Sequence, residues 1–328
     1  MNFVITGSAG FIGYHLAHRL LLEGHLVVGI DSITDYYDQD LKRARLARLQ
    51  AFPKFIFLNS SVEDGSKLLP QLAPYNPETV IHLAAQAGVR YSAENPRSYI
   101  DTNLVGSWQL LELAKDLKPK HLMMASSSSV YGANSRVPFR EDDITDQPIS
   151  LYAATKKGME VMAHAYSNLH QTPTTVLRFF TAYGPWGRPD MAAFRFVSSI
   201  LKGEPIDVYD ESAMQRDFTY IDDLVESVLR LVPLAPSRNA SSATPYRVVN
   251  IGGGHPVALA AFIETIEKLV GKKAVKRHQS RPAGDVSTTF ASTELLRDLT
   301  GYSPSTPLAQ GMAAFLEWYK DYYPDHFR

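Results

Sequence analysis

The sequence contains no cysteine and no long apolar segment, and its charges are almost balanced. Without cysteine there is neither a disulfide framework nor a thiolate metal site, and we expect no metal because His15 and His18 have no evident further ligands. No apolar run reaches about 18 residues, so no membrane partner is expected. The 33 Lys and Arg residues offset 34 Asp and Glu residues without a long run of one sign, which argues against a nucleic-acid partner.

The length and the apolar content are those of a globular protein. The 328 residues, of which 45% are hydrophobic, can bury a substantial core, either as one large domain or as two smaller lobes. Residues Met1 to Ile5 run directly into a glycine turn, with no basic region ahead of an apolar one. We therefore expect a cytoplasmic protein.

A short apolar strand, a glycine turn and a helical pattern open the chain. The strand is Phe3 to Ile5, and the turn is Thr6 to Gly13. Gly7 allows the tight turn, Gly10 lets the backbone approach a pyrophosphate, and Gly13 permits close helix packing; the helix N-terminus offers free N–H groups to the anion. The spacing G-x-x-G-x-x-G differs by one residue from the dinucleotide fingerprint, so a plain turn between strand and helix is the alternative.

The second strand, Leu26 to Ile30, ends in Asp31, where a carboxylate accepts hydrogen bonds from an adenosine ribose and repels a 2′-phosphate. Ser32 follows, and no arginine stands beside Asp31, so NAD is favoured over NADP. The alternation of strands and helices predicts an α/β fold with a Rossmann-type doubly wound parallel sheet. The further apolar strands are 55–58, 79–83 and 121–125.

The second half of the chain is less regular. After a predicted strand at 174–179, prolines and glycines interrupt the pattern, so we place a boundary near residue 180. The predicted division is an NAD-binding Rossmann domain at 1–180 and a smaller C-terminal substrate-binding lobe at 181–328. A helix at 221–231 and a strand at 248–251 suggest that parts of 216–255 return to the first domain.

Tyr152 and Lys156 stand four residues apart in a predicted helix and therefore share one face. A cation close to a phenol favours its ionised form and brings a group with a pKa of about 10 towards working pH; a positively charged nicotinamide acts in the same direction. The pair is thus a candidate general base. A packed ring beside a solvated amine has the same spacing, so the interpretation depends on context.

Several of these residues together resemble the extended short-chain dehydrogenase/reductase family of nucleotide-sugar epimerases and dehydratases. They are Thr6 to Gly13, Asp31, Ser127, Tyr152 and Lys156, and the resemblance spans nearly the whole chain. Within the family, three long segments are similar to UDP-glucuronate 4-epimerases: 82–92, 184–192 and 216–223.

The resemblance implies a tightly bound NAD that is regenerated in each cycle. The family often carries Asp near the end of the third strand to meet the adenine, whereas this chain departs with Ser60-Ser61-Val62. The implied cofactor-binding residues are Gly7, Ala9, Gly10, Phe11, Ile12, Gly13, Asp31, Ser32, Lys42, Ser61, Val62, Leu83, Ala84, Ala85, Asn103, Tyr152 and Lys156.

The resemblance also implies a redox mechanism at C4 of a UDP-sugar. Tyr152, as a phenolate, takes the proton of the 4-hydroxyl while C4 gives a hydride to NAD+, and Ser127 hydrogen-bonds the same oxygen. The resulting ketone turns over in the site and receives the hydride on its other face, which inverts C4. The expected reaction converts UDP-glucuronate to UDP-galacturonate.

A 4-ketone beside the C5 carboxylate is a β-keto acid, so the site must hold that carboxylate to prevent loss of carbon dioxide. Hydroxyl donors at Ser127, Ser128, Ser129 and Thr181 suit this role, and the resemblance suggests that Arg188 adds charge. A run of serines is otherwise an ordinary polar strand end. The candidates for the UDP moiety are Arg90, Arg195, Arg216, Arg281 and Asp285, for which solvated surface side chains are the alternative.

Three other functions stay open. A 4,6-dehydratase or uronate decarboxylase shares the fold, but dehydration needs a further acid and base, usually Asp-Glu, where this chain has Ser128 and Ser129. An epimerase of UDP-glucose or UDP-N-acetylglucosamine is compatible with a hydroxyl cluster. A non-catalytic NAD sensor would keep the glycines and Asp31 without needing Ser127, Tyr152 and Lys156 together.

A homodimer is expected from the helix that follows Asn103. Its leucines leave much apolar surface, although packing against the sheet is the alternative use of that surface. The family commonly pairs this helix and the one containing Tyr152 with a second copy, as a four-helix interface. The leucines are Leu104, Leu110, Leu111 and Leu113.

Overall fold

The computed structural model describes residues 1–209, 214–238, 242–280 and 286–327. Seven strands form one parallel sheet in the order β10-β6-β5-β4-β1-β2-β3. The strands of the chain are β1 (Asn2–Thr6), β2 (Leu26–Asp31), β3 (Phe55–Asn59), β4 (Thr79–His82), β5 (His121–Ser127), β6 (Thr174–Phe179), β7 (Thr181–Tyr183), β8 (Pro205–Tyr209), β9 (Gln215–Tyr220), β10 (Tyr246–Ile251), β11 (Pro256–Ala258) and β12 (Val275–Gln279).

The central strands are nearly continuous buried runs, as a parallel sheet covered on both faces requires. β1 pairs with β2 on one side and with β4 on the other, so the strand order reverses between β1 and β4. The chain segments that follow these two strands therefore separate at the carboxyl edge of the sheet. Doubly wound sheets bind their ligands in this crevice.

Two layers of helices cover the sheet. α1, α9 and α11 contribute to the apolar cluster on one face, and α3, α6 and α7 contribute to the cluster on the other. The helices are α1 (Phe11–Leu22), α2 (Gln39–Gln50), α3 (Gly65–Leu72), α4 (Tyr91–Glu94), α5 (Pro96–Tyr99), α6 (Ser107–Leu117), α7 (Leu151–His170), α8 (Ala192–Lys202), α9 (Ile221–Leu231), α10 (Leu259–Val270), α11 (Glu294–Thr300) and α12 (Leu308–Tyr322), with a π-helical segment at Ile100–Gly106 before α6.

The chain leaves the main sheet after β6 and returns to it with β10, which pairs with β6. Elsewhere in the second half, β11, β9 and β7 form a small sheet, and β12 pairs with β8. α8, α10 and α12 enclose a separate aromatic core that includes Phe194, Phe262, Phe315 and Tyr319. The second half of the chain thus builds an apolar core of its own in addition to supplying a strand to the main sheet.

The predicted α/β class with a Rossmann-type doubly wound sheet is confirmed by this topology. Among the residues that the structure describes, no helix is both long enough and apolar enough to cross a membrane. Two residues predicted to contact substrate, Arg281 and Asp285, lie outside the described residues.

Candidate active site

The glycine turn after β1 is held by close backbone contacts. A side chain at Gly7, whose φ is 72°, would stand 2.8 Å from the amide nitrogen of Ala84, and one at Gly13 would stand 2.1 Å from the carbonyl oxygen of Gly7. α1 begins directly behind Gly10, which provides no side-chain cap. The first N–H groups of α1 are therefore open to an anion at the crevice, as the pyrophosphate of a dinucleotide requires.

Asp31, at the end of β2, braces this turn. Its Oδ2 accepts a hydrogen bond from the amide of Ala9 (3.0 Å), and its Oδ1 accepts one from the amide of Ile33 (2.9 Å). A carboxylate has about four acceptor positions, so Asp31 retains capacity for ribose hydroxyls. Ser32 is exposed beside it, and the buried Lys42 donates to the carbonyl and hydroxyl oxygens of Thr34 in the same loop (2.6 and 2.9 Å).

The segment after β4 lies against the glycine turn. Thr6 Oγ1 accepts hydrogen bonds from the amides of Leu83 and Ala84, both at 3.1 Å. These bonds hold the segment that continues into Ala85 against the end of β1. The Asn103 side chain binds both backbone groups of Gln86 and donates to Thr155 Oγ1 (3.1 Å) on α7. The structure thus gives Asn103 a role in joining the β4 segment to the helix of Tyr152.

The end of β3 carries the remaining predicted cofactor residues. Ser61 Oγ accepts from the amide of Glu63 (3.4 Å) and caps a 3-10 turn at Val62–Asp64, in which Val62 is buried. The structure therefore places a serine cap and an apolar side chain at the position where the family often has a carboxylate.

Helix α7 carries the proposed base. Ser150 Oγ accepts from the amide of Ala153 (3.1 Å) and caps the helix, so Tyr152 and Lys156 lie one turn apart near its N-terminus. The buried Lys156 ammonium donates to the carbonyl oxygen of Ala125 (2.8 Å). Burial lowers the pKa of Lys156 to about 8, and the Glu160 carboxylate opposes this shift.

Burial raises the pKa of the Tyr152 phenol, whereas a hydrogen bond with Ser127 and the charge of Arg188 lower it. In the polypeptide alone, desolvation outweighs these lowering effects, which come from Ser127 and Arg188. That Lys156 and a bound nicotinamide together bring this pKa towards working pH stays a prediction. The spacing in the sequence identified Lys156 as a neighbouring cation, but it could not show how deeply the Tyr152 ring is buried.

The serine cluster lies where β5 leaves the sheet. Ser127 Oγ donates to Ser129 Oγ (3.1 Å) and accepts from the amide of Ser129 (3.1 Å), while Ser128 opens a 3-10 turn. Ser127 pairs with Phe179 in the neighbouring strand, two residues before Thr181. The cluster and Thr181 therefore meet at the same edge of the sheet as the Tyr152 phenol.

Arg188 approaches this site from the second half of the chain. Its Nε and NH2 groups donate to the two carboxylate oxygens of Asp190 (3.0 and 2.6 Å), and the Tyr36 phenol donates to Asp190 Oδ2 (3.2 Å). Sequence reasoning missed Asp190 and Tyr36. Asp190 lies two residues from Arg188, but its pairing with a tyrosine of the β2–α2 loop is a long-range contact.

A second group of cations lies around β8. The Arg90 guanidinium stacks 4.5 Å from the ring centre of Tyr209, and a hydrogen bond from Arg277 (2.6 Å) is the main reason that the pKa of Asp207 is low. The charges of Arg195 and Arg90 lower the same pKa. Sequence reasoning missed Arg277, which reaches this group through the pairing of β12 with β8.

Arg216, at the start of β9, binds backbone carbonyl groups. It donates to the carbonyl oxygens of Gln215, Val286 and Ser287 at 2.7 to 2.9 Å. Among the described residues, no three His, Asp or Glu side chains are arranged to hold a metal ion.

This site is that of a dinucleotide-dependent enzyme of the short-chain dehydrogenase/reductase type. The chain belongs to the NAD dependent epimerase/dehydratase family, whose model matches residues 3–252. The resemblance predicted from the sequence is thereby confirmed.

Known proteins match over almost the whole chain. It is 54% identical to the probable UDP-glucuronate 4-epimerase of Rhizobium meliloti (strain 1021), over 98% of both chains. It is 43% identical to UDP-glucuronate 4-epimerase 1 of Arabidopsis thaliana, over 98% of this chain and 77% of that one. The crystal structure of the UDP-glucuronic acid 4-epimerase from Bacillus cereus with UDP-glucuronic acid and NAD matches with a TM-score of 0.89 and 33% identity, over 98% of this chain and 100% of that one.

Proposed function

We propose that the enzyme interconverts UDP-glucuronate and UDP-galacturonate by NAD-dependent epimerisation at C4, without loss of carbon dioxide. The observation that carries the proposal is that α7 places Tyr152 one turn before Lys156, whose ammonium binds β5 at Ala125, two residues before Ser127. Ser127 and the charge of Arg188 also lower the pKa of the Tyr152 phenol, so a base, a hydroxyl donor and a cation lie close enough to interact, as a sugar with a carboxylate next to its reacting carbon requires. The names of the relatives support the same substrate.

The glycine turn, Asp31 and the β4 segment fit a bound NAD. The open N-terminus of α1 suits the pyrophosphate, and Asp31 suits the adenosine ribose. The assignment of the remaining predicted cofactor residues to this NAD site is part of the proposal. When bound, NAD supplies a reversible acceptor for the hydride of the sugar C4.

Tyr152 removes the proton of the 4-hydroxyl and returns it when C4 has been inverted. Burial disfavours the phenolate, and Ser127 and Arg188 favour it, so the phenol can give and take a proton within one cycle. The Lys156 ammonium donates to the carbonyl oxygen of Ala125, which holds a positive charge one helix turn from Tyr152. Ser127 donates to the oxygen on which charge develops.

The carboxylate is held by hydroxyl and guanidinium donors. Ser127, Ser128, Ser129 and Thr181 offer hydroxyls at one edge of the sheet, and Arg188 adds a charge-assisted contact. Decarboxylation requires the C5–C6 bond to lie parallel to the π-orbitals of the 4-ketone. A carboxylate held away from this orientation keeps the bond intact. At the other end of the substrate, Arg90, Arg195 and Arg277 provide positive charge for the UDP phosphates.

The proposal includes a cytoplasmic homodimer. Three of the four leucines on which the dimer was predicted, Leu110, Leu111 and Leu113, are buried in the core of the subunit, and Leu104 is half-buried. Other apolar side chains of the same helical pair are exposed instead. They are Val105 and Trp108 near the start of α6, and Val161 and Leu169 on α7. A second copy packed on this face would give the expected four-helix interface.

A second candidate is an epimerase of neutral UDP-sugars. The Asp190 carboxylate balances the charge of Arg188 in a bidentate ion pair, which leaves the hydroxyl cluster to receive the sugar. Such a cluster also binds a neutral hydroxymethyl group. The hypothesis of a uronate substrate requires Arg188 to bind the substrate carboxylate while it remains close to Asp190.

The test is to incubate the enzyme separately with UDP-glucuronate, UDP-glucose and UDP-N-acetylglucosamine and to resolve the products by chromatography. The proposal expects UDP-galacturonate from the uronate, with preference over the neutral sugars of about tenfold or more for one charge-assisted contact. A C4 epimer from the neutral sugars alone would favour the second candidate. UDP-pentose as the main product would show that the carboxylate is not protected.

A further inference from the structure

The turn that carries Arg188 has an unfavourable backbone conformation. Trp186 has a φ of 60° and Gly184 a φ of 145°, and a side chain at Gly187 would stand 3.0 Å from the carbonyl oxygen of Gly184. A bulky residue in the left-handed region is strained and persists only where surrounding contacts hold it. The contacts that hold this turn therefore determine where Arg188 lies.

Three successive carbonyl groups of the turn accept hydrogen bonds from helices α1 and α2. His15 Nε2 donates to the oxygen of Pro185 (2.9 Å), and Arg45 NH2 donates to the oxygens of Trp186 (2.6 Å) and Gly187 (3.2 Å). Burial lowers the pKa of His15 to about 3, so its ring is neutral and donates from Nε2. His15 lies on α1, directly behind the glycine turn, and Arg45 lies on α2.

Arg45 also reaches the glycine turn itself. Its NH1 group donates to the carbonyl oxygen of Ala9 (3.1 Å) and to the hydroxyl of Tyr37 (2.8 Å). The residue is fully buried, and all of these acceptors are neutral oxygens. Burying a guanidinium without a carboxylate partner is costly, so a role beyond packing is expected of it. One side chain thus joins the turn beneath the dinucleotide to the turn that carries Arg188.

We propose that Arg45 is a positioning residue that fixes the Arg188 turn to the glycine turn and so sets the place of the substrate-facing cation relative to the bound dinucleotide. This inference rests on the function proposed above. Without Arg45 the strained turn relaxes and Arg188 shifts. The carboxylate of the 4-keto uronate is then held less firmly. The C5–C6 bond then breaks more often: carbon dioxide leaves, the electron pair passes to the ketone oxygen, and C5 takes up a proton. Return to C4 of the hydride that was removed from it then reduces this 4-ketopentose to a UDP-pentose.

The experiment compares Arg45→Gln and Arg45→Lys with Arg43→Gln, a matched control on the outer face of the same helix, where Arg43 binds Asp40 and Gln39. With NAD saturating, Arg45→Gln should raise both KM for UDP-glucuronate and the ratio of UDP-pentose to UDP-galacturonate about tenfold or more, as expected for the loss of charged donors. Arg45→Lys should rescue part of the effect, and Arg43→Gln should match the wild type. The product ratio does not depend on how much enzyme is folded.

A readout without substrate separates this inference from the proposed function. In a Trp108→Phe background, the remaining indoles of Trp186 and Trp318 lie 5.4 Å apart beside the turn. Arg45→Gln should increase their quenching by acrylamide, and Arg43→Gln should not. If Arg45→Gln does not fold, Arg45→Lys takes its place, and it must still increase the quenching relative to Arg43→Gln.

Quenching and a product ratio that both stay at the wild-type values in Arg45→Gln would overturn the inference. Failure of the wild type to convert UDP-glucuronate would instead reject the proposed function, and the quenching measurement would still decide whether Arg45 holds the turn.

Discussion

The ammonium group of Lys156 donates a hydrogen bond to the carbonyl oxygen of Ala125, with an Nζ–O distance of 2.8 Å. Ala125 lies in β5 two residues before Ser127, so this bond fixes the helix of Tyr152 to the strand of its hydroxyl partner. The buried ion pair of Glu160 with Arg178, at 2.9 Å, joins α7 to β6 next to it. The distance between base and hydroxyl donor is therefore set by rigid elements rather than by loops.

Tyr152→Phe should lower kcat by at least about 10²-fold and leave the affinity for the UDP-sugar nearly unchanged, because it deletes a proton-transfer group and little else. Turnover and calorimetric binding of UDP-glucuronate measure the two effects. Tyr166→Phe, on the same helix and bound to Glu112 and Trp108, is the control. Near-normal turnover of the Tyr152 variant would mean that another group is the base.

The purified enzyme should release NAD rather than NADP when it is denatured. Asp31 binds the amides of Ala9 and Ile33, and its negative charge opposes a 2′-phosphate. Asp31→Asn should weaken NAD retention about tenfold, since a neutral amide makes weaker hydrogen bonds than a carboxylate. Enzymatic assay of the supernatant measures which dinucleotide is released and how much of it each variant had retained. Asp35→Asn, in the same loop, is the control. Recovery of mainly NADP would refute this account of Asp31.

Stability should fall as the pH drops below about 6.5, in part through His121. Burial lowers the pKa of His121 to about 4, although a hydrogen bond with Val232 opposes the shift. The unfolded chain then binds more protons than the native one between pH 4 and 6.5, so stability rises with pH in this window and is lost on acidification.

His121 alone should cost about 2 kcal/mol of unfolding free energy between pH 6.5 and 5. Urea unfolding of the wild type and His121→Gln at both pH values measures this difference, and the variant should lose less stability on acidification. His164→Gln, which changes an exposed histidine, should behave as the wild type. Equal losses in the wild type and His121→Gln would show that His121 is not the sensitive group.

Trp108→Glu should convert a dimer to a monomer. The Trp108 side chain is 43% exposed and Val161 is 57% exposed, and a charge between two copies of this face would be desolvated without a partner. Sedimentation velocity at micromolar concentration measures the change, with Ile144→Glu as a control at another exposed apolar residue. A wild-type monomer under these conditions would reject the homodimer.

The sheet could be predicted because its strands are short apolar runs with helices between them. The glycine turn could be predicted because its three glycines lie between an apolar strand and a helix, and the next strand ends in Asp31. The contacts of Arg45, Tyr36 and Arg277 could not. Each joins segments separated by about 70 residues or more, such as Arg45 to Trp186 and Arg277 to Asp207. Arg45 lies in a helix rich in charged residues, where nothing local indicates which of them is fully buried.

Burial decides two further points that the sequence left open. The Leu110, Leu111 and Leu113 side chains are apolar in sequence, but which of them face the sheet is decided by the packing of α6. The direction of the Tyr152 pKa likewise depends on desolvation, which no spacing rule contains.

The most direct test of the account is the fate of the hydrogen at C4. UDP-glucuronate carrying deuterium at C4 should give UDP-galacturonate with the deuterium still at C4, because the hydride leaves and returns within one site while Tyr152 exchanges only the hydroxyl proton. Mass spectrometry and proton NMR of the product measure its position. Loss of the deuterium to solvent during epimerisation would contradict transient oxidation at C4 by a retained NAD.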